Sequence, residues 1–366
     1  MTRRGYPNPL WRITLAGEDI TQRIQPRLME LTLTDNRGME ADQLDLTLDD
    51  SDGMLDIPPR GARIHLSLGW SDTGLIDKGS YTVDEVEHSG APDQLMIRAR
   101  SADLRDGITT KKERSWHQTT VGAIVRKIAA ENGYAPAISP DLENEAVAHL
   151  DQTGESDANL LTRLAELFDA ITTVKAGRLL FFKIGRATTL SGLAIEPVFI
   201  TREDGDQHRF SVADRDTYDA VKACYHDIKA GKKGEVTITV KEWQEDKLND
   251  KQKAQKKEKQ KITHSASNIK TLRHTYANLA NATRGARSAL EKLKRGAAGF
   301  NLTLARGRPE IFPERPANVS GWKPAIDAAD WLIAKVSHRL TPSGLTTALE
   351  LELRLDETEE EQTEIS

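Results

Sequence analysis

The chain carries one β-rich sequence unit twice, near its two ends. The clearest stretch reads IDKGSYTVDEVEH from Ile76 and IDAADWLIAKVSH from Ile326. Six positions match at a constant spacing along the chain, namely Ile76, Asp77, Tyr81, Val83, Val86 and His88 with Ile326, Asp327, Trp331, Ile333, Val336 and His338. A repeat of this kind requires two copies of one fold, so it restricts the possible architectures strongly.

Further matches upstream extend the repeat. They are Gly69-Trp70 with Gly321-Trp322, Ile57-Pro58-Pro59-Arg60 with Phe312-Pro313-Glu314-Arg315, and Leu44–Leu48 with Phe300–Leu304. The spacing between the copies drifts slightly along the unit, and the changes occur in turn-like segments, where loops absorb differences in length. We therefore predict that residues 44–99 and 300–353 share one strand order, with Trp70 over Trp322 and His88 over His338. A chain built in this way, with no visible catalytic constellation, is more typical of a building block than of an enzyme.

Composition narrows the class of protein. At 366 residues the chain is long enough for two or three domains, and its net charge of −5 offers no global positive field to attract nucleic acid. The single cysteine, Cys224, excludes an internal disulfide framework and suits a reducing compartment. The N-terminus lacks the apolar run of a signal peptide, and no stretch reaches the ~20 apolar residues that span a bilayer. We expect assembly in the cytoplasm without stable membrane insertion.

Residues 10–105 predict a run of short antiparallel strands. Apolar residues alternate with polar ones between turns rich in Gly, Pro and Asp, which is typical of half-buried strands in a small barrel or sandwich. The alternating sets are Trp11, Ile13 and Leu15; Met29, Leu31 and Leu33; Leu44, Leu46 and Leu48; Ile64, Leu66, Leu68 and Trp70; Tyr81 and Val83; and Leu95, Ile97 and Ala99.

The pattern changes between residues 115 and 190, where apolar residues recur at helical spacing. The predicted elements are a helix around Val121–Ala129 with Thr119 as N-cap and Asn132-Gly133 as its end, a helix from Ser156, a strand at Ile171–Val174, a turn at Gly177 and a strand at Arg178–Ile184. This stretch predicts a small α+β unit between the two barrels.

Strands resume from about residue 208, most clearly at Ala220–Tyr225 and Val236–Val240. Residues 241–261 then hold eight lysines and five acids with almost no apolar residues, which predicts a mobile loop or exposed helix that is dispensable for folding. A helix is predicted over 269–295, before the second copy of the repeat.

Together these patterns predict a mixed, mainly β fold of the α+β class. The first barrel is expected at 1–110, the α+β insert at 111–205, the second barrel at 206–356 with a charged insertion at 241–265 and the helix at 269–295, and an acidic tail at 357–366.

The motif search predicts no catalytic, cofactor-binding or metal-binding residues and no cofactor. Asp49-Asp50-Ser51-Asp52-Gly53 is similar to part of a calcium loop, but Leu48 and Pro59 would occupy ligand positions, which favours a polar turn. The nine histidines form no H-E-x-x-H motif, and one cysteine cannot build a thiolate zinc site. No nucleophile elbow, phosphate-binding loop or dinucleotide fingerprint is present.

Several other residues have structural interpretations. His88 and His338 are expected to end strands and to make turn-stabilising hydrogen bonds, and Trp70 and Trp322 to pack in the core or at the barrel rim. Cys224 is expected to be a small buried apolar residue. The lysine-rich stretch 247–261 could contact phosphate or an acidic partner, but it has no interleaved aromatic residues, which favours a solvated loop.

In several segments the sequence resembles the late control gene D family of contractile phage tails, the baseplate hub proteins. The segments that carry the resemblance are Pro26-Arg27-Leu28 with LTLTDNRGMEADQLDLTL (31–48), RGARIHLSLGW (60–70), YTVDEVEHSG (81–90), IRARSADLR (97–105), SWHQTTVGAI (115–124), ATRGARSALEKLKRG (282–296), GFNLTLARGRPE (299–310), and DAADWLIAKVSH through TTALELEL (327–353). They run in order along nearly the whole chain.

This resemblance implies a structural hub of a contractile phage tail or tailocin, located in the virion, with two tube-type β-barrel domains per chain. In that family the hub forms a homotrimer between the tail tube and the spike, and it is related to the hub part of type VI secretion spike proteins. The implied partners are the other copies of the chain, the spike protein, the tail tube protein, and tape-measure or other baseplate proteins. Three chains would give six quasi-equivalent barrels, which can face a six-fold tube while remaining three-fold towards the spike.

Two functions of other classes remain as alternatives. A tail-associated cell-wall hydrolase would need an acid pair, zinc site or nucleophile set, none of which is recognisable. A nucleic-acid-binding module would use the lysine-rich loop and would show salt-dependent DNA retention that is lost when residues 247–261 are deleted.

Overall fold

The computed structural model describes residues 7–101, 106–175, 177–189, 193–212, 218–227, 231–239 and 268–355. The lysine-rich segment at 241–261 and the acidic tail at 357–366 lie outside the described residues, so the predictions for them remain predictions. In the described part the fold is mixed and mainly β, as the sequence predicts.

The first copy of the repeat, called here the first barrel unit after its predicted architecture, is built from strands and one short α-helix. They are β1 (Pro9–Leu15), β2 (Glu18–Asp19), α1 (Thr21–Ile24), β3 (Leu28–Asp35), β4 (Gln43–Asp49), β5 (Arg63–Trp70), β6 (Gly74–Ser89) and β7 (Gln94–Ser101). Every second residue of β4, and of β3 from Leu31 onwards, is buried, because successive side chains of a strand point to opposite faces. Leu31, Leu33 and Leu44 are examples, whereas Met29 before the bulge in β3 is exposed. The buried residues of these strands form one hydrophobic cluster.

A small α+β unit with its own hydrophobic core follows. Its elements are α2 (Asp106–Thr109), β8 (Lys111–Thr120), α3 (Val121–Glu131), β9 (Ala135–Ile138), α4 (Pro140–Glu143), β10 (Ala146–Ser156), α5 (Asp157–Leu167), β11 (Ala170–Lys175) and β12 (Arg178–Lys183). Strands β8 and β10 form one sheet, and β11, β12 and β9 form another.

The two longer helices of this unit begin at side-chain caps. Thr120 Oγ1 accepts a hydrogen bond from the Ala123 amide at 3.2 Å, so the cap of α3 lies one residue after the predicted Thr119. The helix predicted from Ser156 is α5, and Ser156 is its N-cap, because the Ser156 Oγ accepts a hydrogen bond from the Asn159 amide at 3.2 Å.

The remaining elements form the second barrel unit and a unit inserted into it. They are β13 (Val198–Thr201), β14 (Gly205–Val212), β15 (Ala220–Asp227), β16 (Lys232–Thr239), β17 (Ile269–Tyr276), α6 (Leu279–Arg295), β18 (Ala298–Leu304), β19 (Pro316–Ser320), α7 (Pro324–Asp327), β20 (Trp331–Thr341) and β21 (Gly344–Leu353). Strands β15–β17 and helix α6 lie between β14 and β18 and share a separate small core. Phe300 and Trp331 lie at the centre of the second barrel unit.

The helix predicted over 269–295 is wrong in its first third. Ile269–Tyr276 is strand β17, which pairs in parallel with β15, and the helix begins only after Asn278, whose side chain accepts a hydrogen bond from the Asn281 amide at 2.8 Å. Leu272 and Tyr276 have a spacing that suits a helix face, but here they lie on a strand that completes a three-stranded sheet. Tertiary pairing has overridden the local pattern.

The predicted common strand order of the two copies is confirmed. The sheet runs β3-β4-β7-β6-β5 in the first barrel unit and β14-β18-β21-β20-β19 in the second. The registers also agree, because Leu44, Leu46 and Leu48 face Ala99, Ile97 and Leu95, just as Phe300, Leu302 and Leu304 face Leu351, Leu349 and Thr347.

Two irregularities in the ladders recur at equivalent positions. The β6–β7 ladder shifts register between Val83 and Glu85, and the β20–β21 ladder shifts between Ile333 and Lys335. The β3–β4 ladder shifts between Leu28 and Glu30, and the β14–β18 ladder shifts between Gly205 and Gln207. Such bulges bend a strand and increase its twist, so their repetition indicates that both copies curve in the same way.

The copies differ at the hairpin before the matched strands. Trp70 lies in β5, whereas Trp322 lies in a bend after β19, so the two tryptophans do not occupy equivalent strand positions as predicted. Ile76 lies in β6, whereas Ile326 lies in α7. Pro324 in the first turn of α7 has no amide hydrogen for a strand ladder and is well suited to a helix start, so the second copy has a short helix here.

Candidate assembly interface

The acidic turn after β4 is a polar turn, as predicted. Asp49 Oδ1 accepts a hydrogen bond from the Ser51 amide at 3.0 Å, and Asp50 Oδ1 accepts from the Leu55 amide at 2.9 Å. Both oxygens of Asp52 accept from the Arg27 guanidinium, which lowers the pKa of Asp52. The carboxylates of this turn therefore stabilise the loop itself.

The two repeat histidines occupy equivalent ladder positions but different environments. His88 lies at the end of β6 as predicted, with its ring Nε2 3.2 Å from Asp50 Oδ2 and its side chain 41% exposed. His338 is fully buried in the middle of β20, and its Nδ1 lies 2.9 Å from Thr347 Oγ1. The prediction that His338 ends a strand is therefore wrong.

The tryptophans pack as core residues, whereas the cysteine is less buried than predicted. Trp70 is buried, and its Nε1 donates to the Gly307 carbonyl of the second barrel unit at 2.7 Å. Trp322 packs against Phe300, with ring centroids 5.3 Å apart. Cys224 lies in β15 and is half-buried.

The two barrel units are joined by direct strand pairing. Residues 336–340 of β20 pair antiparallel with residues 31–35 of β3, so one continuous sheet passes from one copy to the other. Leu340 and Leu345 of the second copy belong to the hydrophobic cluster of the first. Glu30 and Arg339 form a bidentate ion pair across the outer face of this joint, at 2.8 and 2.9 Å.

A partly buried charge network ties the joint to the two inserted units. Arg37, in the loop after β3, lies 2.6 Å from Glu314 and 2.6 Å from Glu352. Arg295, at the end of α6, contacts Glu352 at 3.4 Å and donates to Asp169 at 2.6 Å. These five side chains come from all four parts of the fold, and burial raises the pKa of Glu314.

A second ion-pair group and a cavity lie beside this network. Lys175 of β11 pairs with Asp35 and, at 3.2 Å, with Asp42. Burial raises the pKa of Asp42 to about 6, and the nearby Asp35 acts in the same direction. The cavity has a volume of about 560 Å³ and is lined by residues that include Asp35, Lys175 and Glu314. Its acids are engaged in ion pairs with basic residues, which suits a structural role.

Strand β14 and the second half of β6 each have one edge without a strand partner in the part of the chain that the structure describes. Strand β14 pairs only with β18, and β6 from Val86 onwards pairs only with β7. Sequence reasoning missed both the β3–β20 joint and these edges. In the structure β6 has sixteen residues and β5 has eight, so the second half of β6 extends beyond that neighbour.

The described ranges contain no group of three or more His, Cys, Asp or Glu side chains arranged to hold a metal ion. None of the helices found there combines the length and apolarity needed to cross a bilayer.

Comparison with known proteins gives a consistent result. A sequence model of the phage tail baseplate hub family (GPD) matches residues 41–344. The probable baseplate hub protein of Escherichia phage 186 is 45% identical over 367 residues, which cover 96% of this chain and 94% of that protein.

Solved structures show the same fold at low identity. The 43 kDa tail protein of prophage MuSo2 from Shewanella oneidensis has a TM-score of 0.65 at 13% identity, covering 93% of this chain and 97% of that chain. A type VI secretion component of E. coli, described as structurally similar to bacteriophage T4 tail proteins, has a TM-score of 0.50 at 13% identity over 91% of this chain and 75% of that chain.

Proposed function

The chain belongs to the phage tail baseplate hub family, and from this premise we propose that it is a homotrimeric adaptor between the six-fold tail tube and the three-fold spike. As a baseplate hub protein it is a component of the phage tail. The proposal also includes that this adaptor is required for tail assembly and that the tail assembles in the host cytoplasm.

The repeated strand unit is the observation that carries this proposal. Two units with the same strand order and bulges at equivalent positions lie side by side in one sheet. Three chains would place six such units around one axis, which suits contact with a six-fold tube. The inserted unit of β15–β17 and α6 occurs only in the second copy within the described residues, so the same ring would keep three-fold symmetry.

The function is mechanical and involves no bond-making step. Its proposed partners are two further copies of the chain, the spike protein and the tail tube protein, with tape-measure and other baseplate proteins as additional contacts. Support for a non-enzymatic role comes from the cavity beside Glu314, where the acidic side chains form ion pairs. A peptidoglycan zymogram should show no clearing, and clearing that is lost in Glu314→Gln would establish the hydrolase alternative.

Light scattering of the purified chain mixed with its cognate spike protein tests the adaptor. We expect a complex that contains three hub chains and three spike chains. The hub alone at the same concentration is the control, because a partner that binds only the trimer increases its population. A complex of one hub chain with one spike chain would contradict the adaptor.

A further inference from the structure

We propose that the second half of β6 pairs antiparallel with β14 of a second copy of this chain, with residues 86–89 opposite residues 209–212. The inference rests on the trimer proposed above and identifies the strands that form its joint. It follows from the unpaired edges of β14 and of the second half of β6, and from the internal β3–β20 joint.

The internal joint provides a template. Strand β6 corresponds to β20. When Val86 is aligned with Val336, the bulges of the two strands coincide, and the pairing of β6 with β7 matches that of β20 with β21. Strand β14 corresponds to β3. When Val212 is aligned with Asp35, the bulges of the two strands coincide, and the pairing of β14 with β18 matches that of β3 with β4. In each chain, therefore, β20 and β3 are joined, whereas the equivalent strands β6 and β14 have free edges.

The register follows from the template. At the internal joint Val336 faces Asp35, and the pairing continues antiparallel to Arg339 opposite Thr32. The equivalent pairs are Val86 with Val212, Glu87 with Ser211, His88 with Phe210, and Ser89 with Arg209. Within one chain β6 and β14 are separated by seven strand-to-strand steps in the sheet, so they lie about 34 Å apart along it. A second copy must supply the partner strand.

Burial distinguishes the joined positions from the free ones. His338 and Asp35 at the internal joint are 0% and 8% exposed. At the equivalent free positions the His88 side chain is 41% exposed and Val212 is 66% exposed. An exposed edge of this kind is a ready template for strand addition, and pairing would cover Val212 against Val86.

The charges on the two edges are complementary. Glu87 and Arg209 would lie diagonally across the new ladder on its outer face, where long side chains reach each other. This pair would take the place of the Glu30–Arg339 ion pair at the internal joint. The tip of the β6–β7 hairpin differs, however, since Gly90 and Asp93 occur where the second copy has Leu340 and Leu345. The joint between chains would therefore bury less apolar surface than the joint within a chain.

Disulfide trapping tests the register. Glu87→Cys and Ser211→Cys are prepared separately in a Cys224→Ser background and mixed in equal amounts with the cognate spike protein, so that only bonds between chains can link the two variants. After mild oxidation we expect a covalent dimer on a non-reducing gel. Glu87→Cys mixed with Gln207→Cys is the matched control, because the displacement along β14 separates the thiols by about 13 Å.

The outcomes separate this inference from the adaptor. A trimeric mass by light scattering without the 87–211 bond, or with equal yields from both mixtures, would overturn the proposed joint and leave the adaptor standing. Failure to form a trimer with the spike would overturn both.

Discussion

His338 has a different chemistry from its repeat partner because a third strand covers it. Strand β3 lies on one side of it and β21 on the other, and the ring has no contact with solvent. Burial lowers the pKa of His338 from 6.5 to about 3, and the positive charge of Lys78 acts in the same direction. The ring is therefore neutral in the folded protein at neutral pH.

We expect His338 to make the protein sensitive to acid. Its pKa is lower in the folded state than in the unfolded state, so stability is fully present above pH 6.5 and falls as the pH decreases towards 3. Between pH 7.5 and 5 this residue should account for a loss of about 2 kcal/mol in the free energy of unfolding. Urea unfolding at both pH values measures the loss, which His338→Gln should largely remove.

His88→Gln is the matched control for this measurement, because it removes the exposed ring and leaves the buried one. It should retain the acid-induced loss of the wild-type protein. An unchanged pH dependence in His338→Gln would contradict the assignment.

The local sequence pattern predicts the burial of single residues well wherever the residues that cover them are near in sequence. The alternation of Leu31, Leu33 and Leu44 predicts buried strand positions, and all three are buried. The burial of His338 could not be predicted in this way, since it depends on Leu33, which lies near the opposite end of the chain. The Arg37–Glu314 contact escaped prediction for the same reason.

At the scale of elements, the prediction failed where a short strand resembles a helix. The repeat and the α+β unit have regular periods, and most of their strands and helices occur where they are expected. Strand β17 has only one strand partner among the described residues, β15, and that pairing follows a long connection that no local signal encodes.

We expect the lysine-rich segment to be dispensable for folding. Thr239 and Ile269, which flank it, both pair with Ala220 from opposite sides, so their separation is about 10 Å. Deletion of residues 241–261 still leaves residues 240 and 262–268 to span this gap, enough at about 3.3 Å per residue. Thermal unfolding followed by circular dichroism should show a small change in midpoint. A collapse in soluble yield would show that the segment is structural.

At the scale of the whole molecule, buried and partly buried ion pairs hold the four parts of the fold in one arrangement. Arg295 is 5% exposed and lies between Asp169 of the α+β unit and Glu352 of the second barrel unit. Asp169 is also buried. Removal of one partner from such a pair leaves an uncompensated charge, which costs more than the net contribution of the intact pair.

Arg295→Met should therefore lower the free energy of unfolding by about 3–5 kcal/mol, measured by urea denaturation at pH 7. Arg339→Met is the matched control, because its ion pair with Glu30 is largely exposed and should contribute at most about 1 kcal/mol. The double variant Arg295→Met/Asp169→Asn should recover part of the loss, since it removes the isolated charge. Equal losses in the two single variants would contradict this account.

The β3–β20 joint also determines when the first barrel unit can finish folding during synthesis. Its core includes Leu340 and Leu345, which the ribosome adds long after β3. At about 5–20 residues per second, the edge of β3 stays unpaired for roughly 15–60 s after it is made. Completion of the first barrel unit therefore waits for the synthesis of β20, and the N-terminal strands of the nascent chain depend on a segment made much later for their own core.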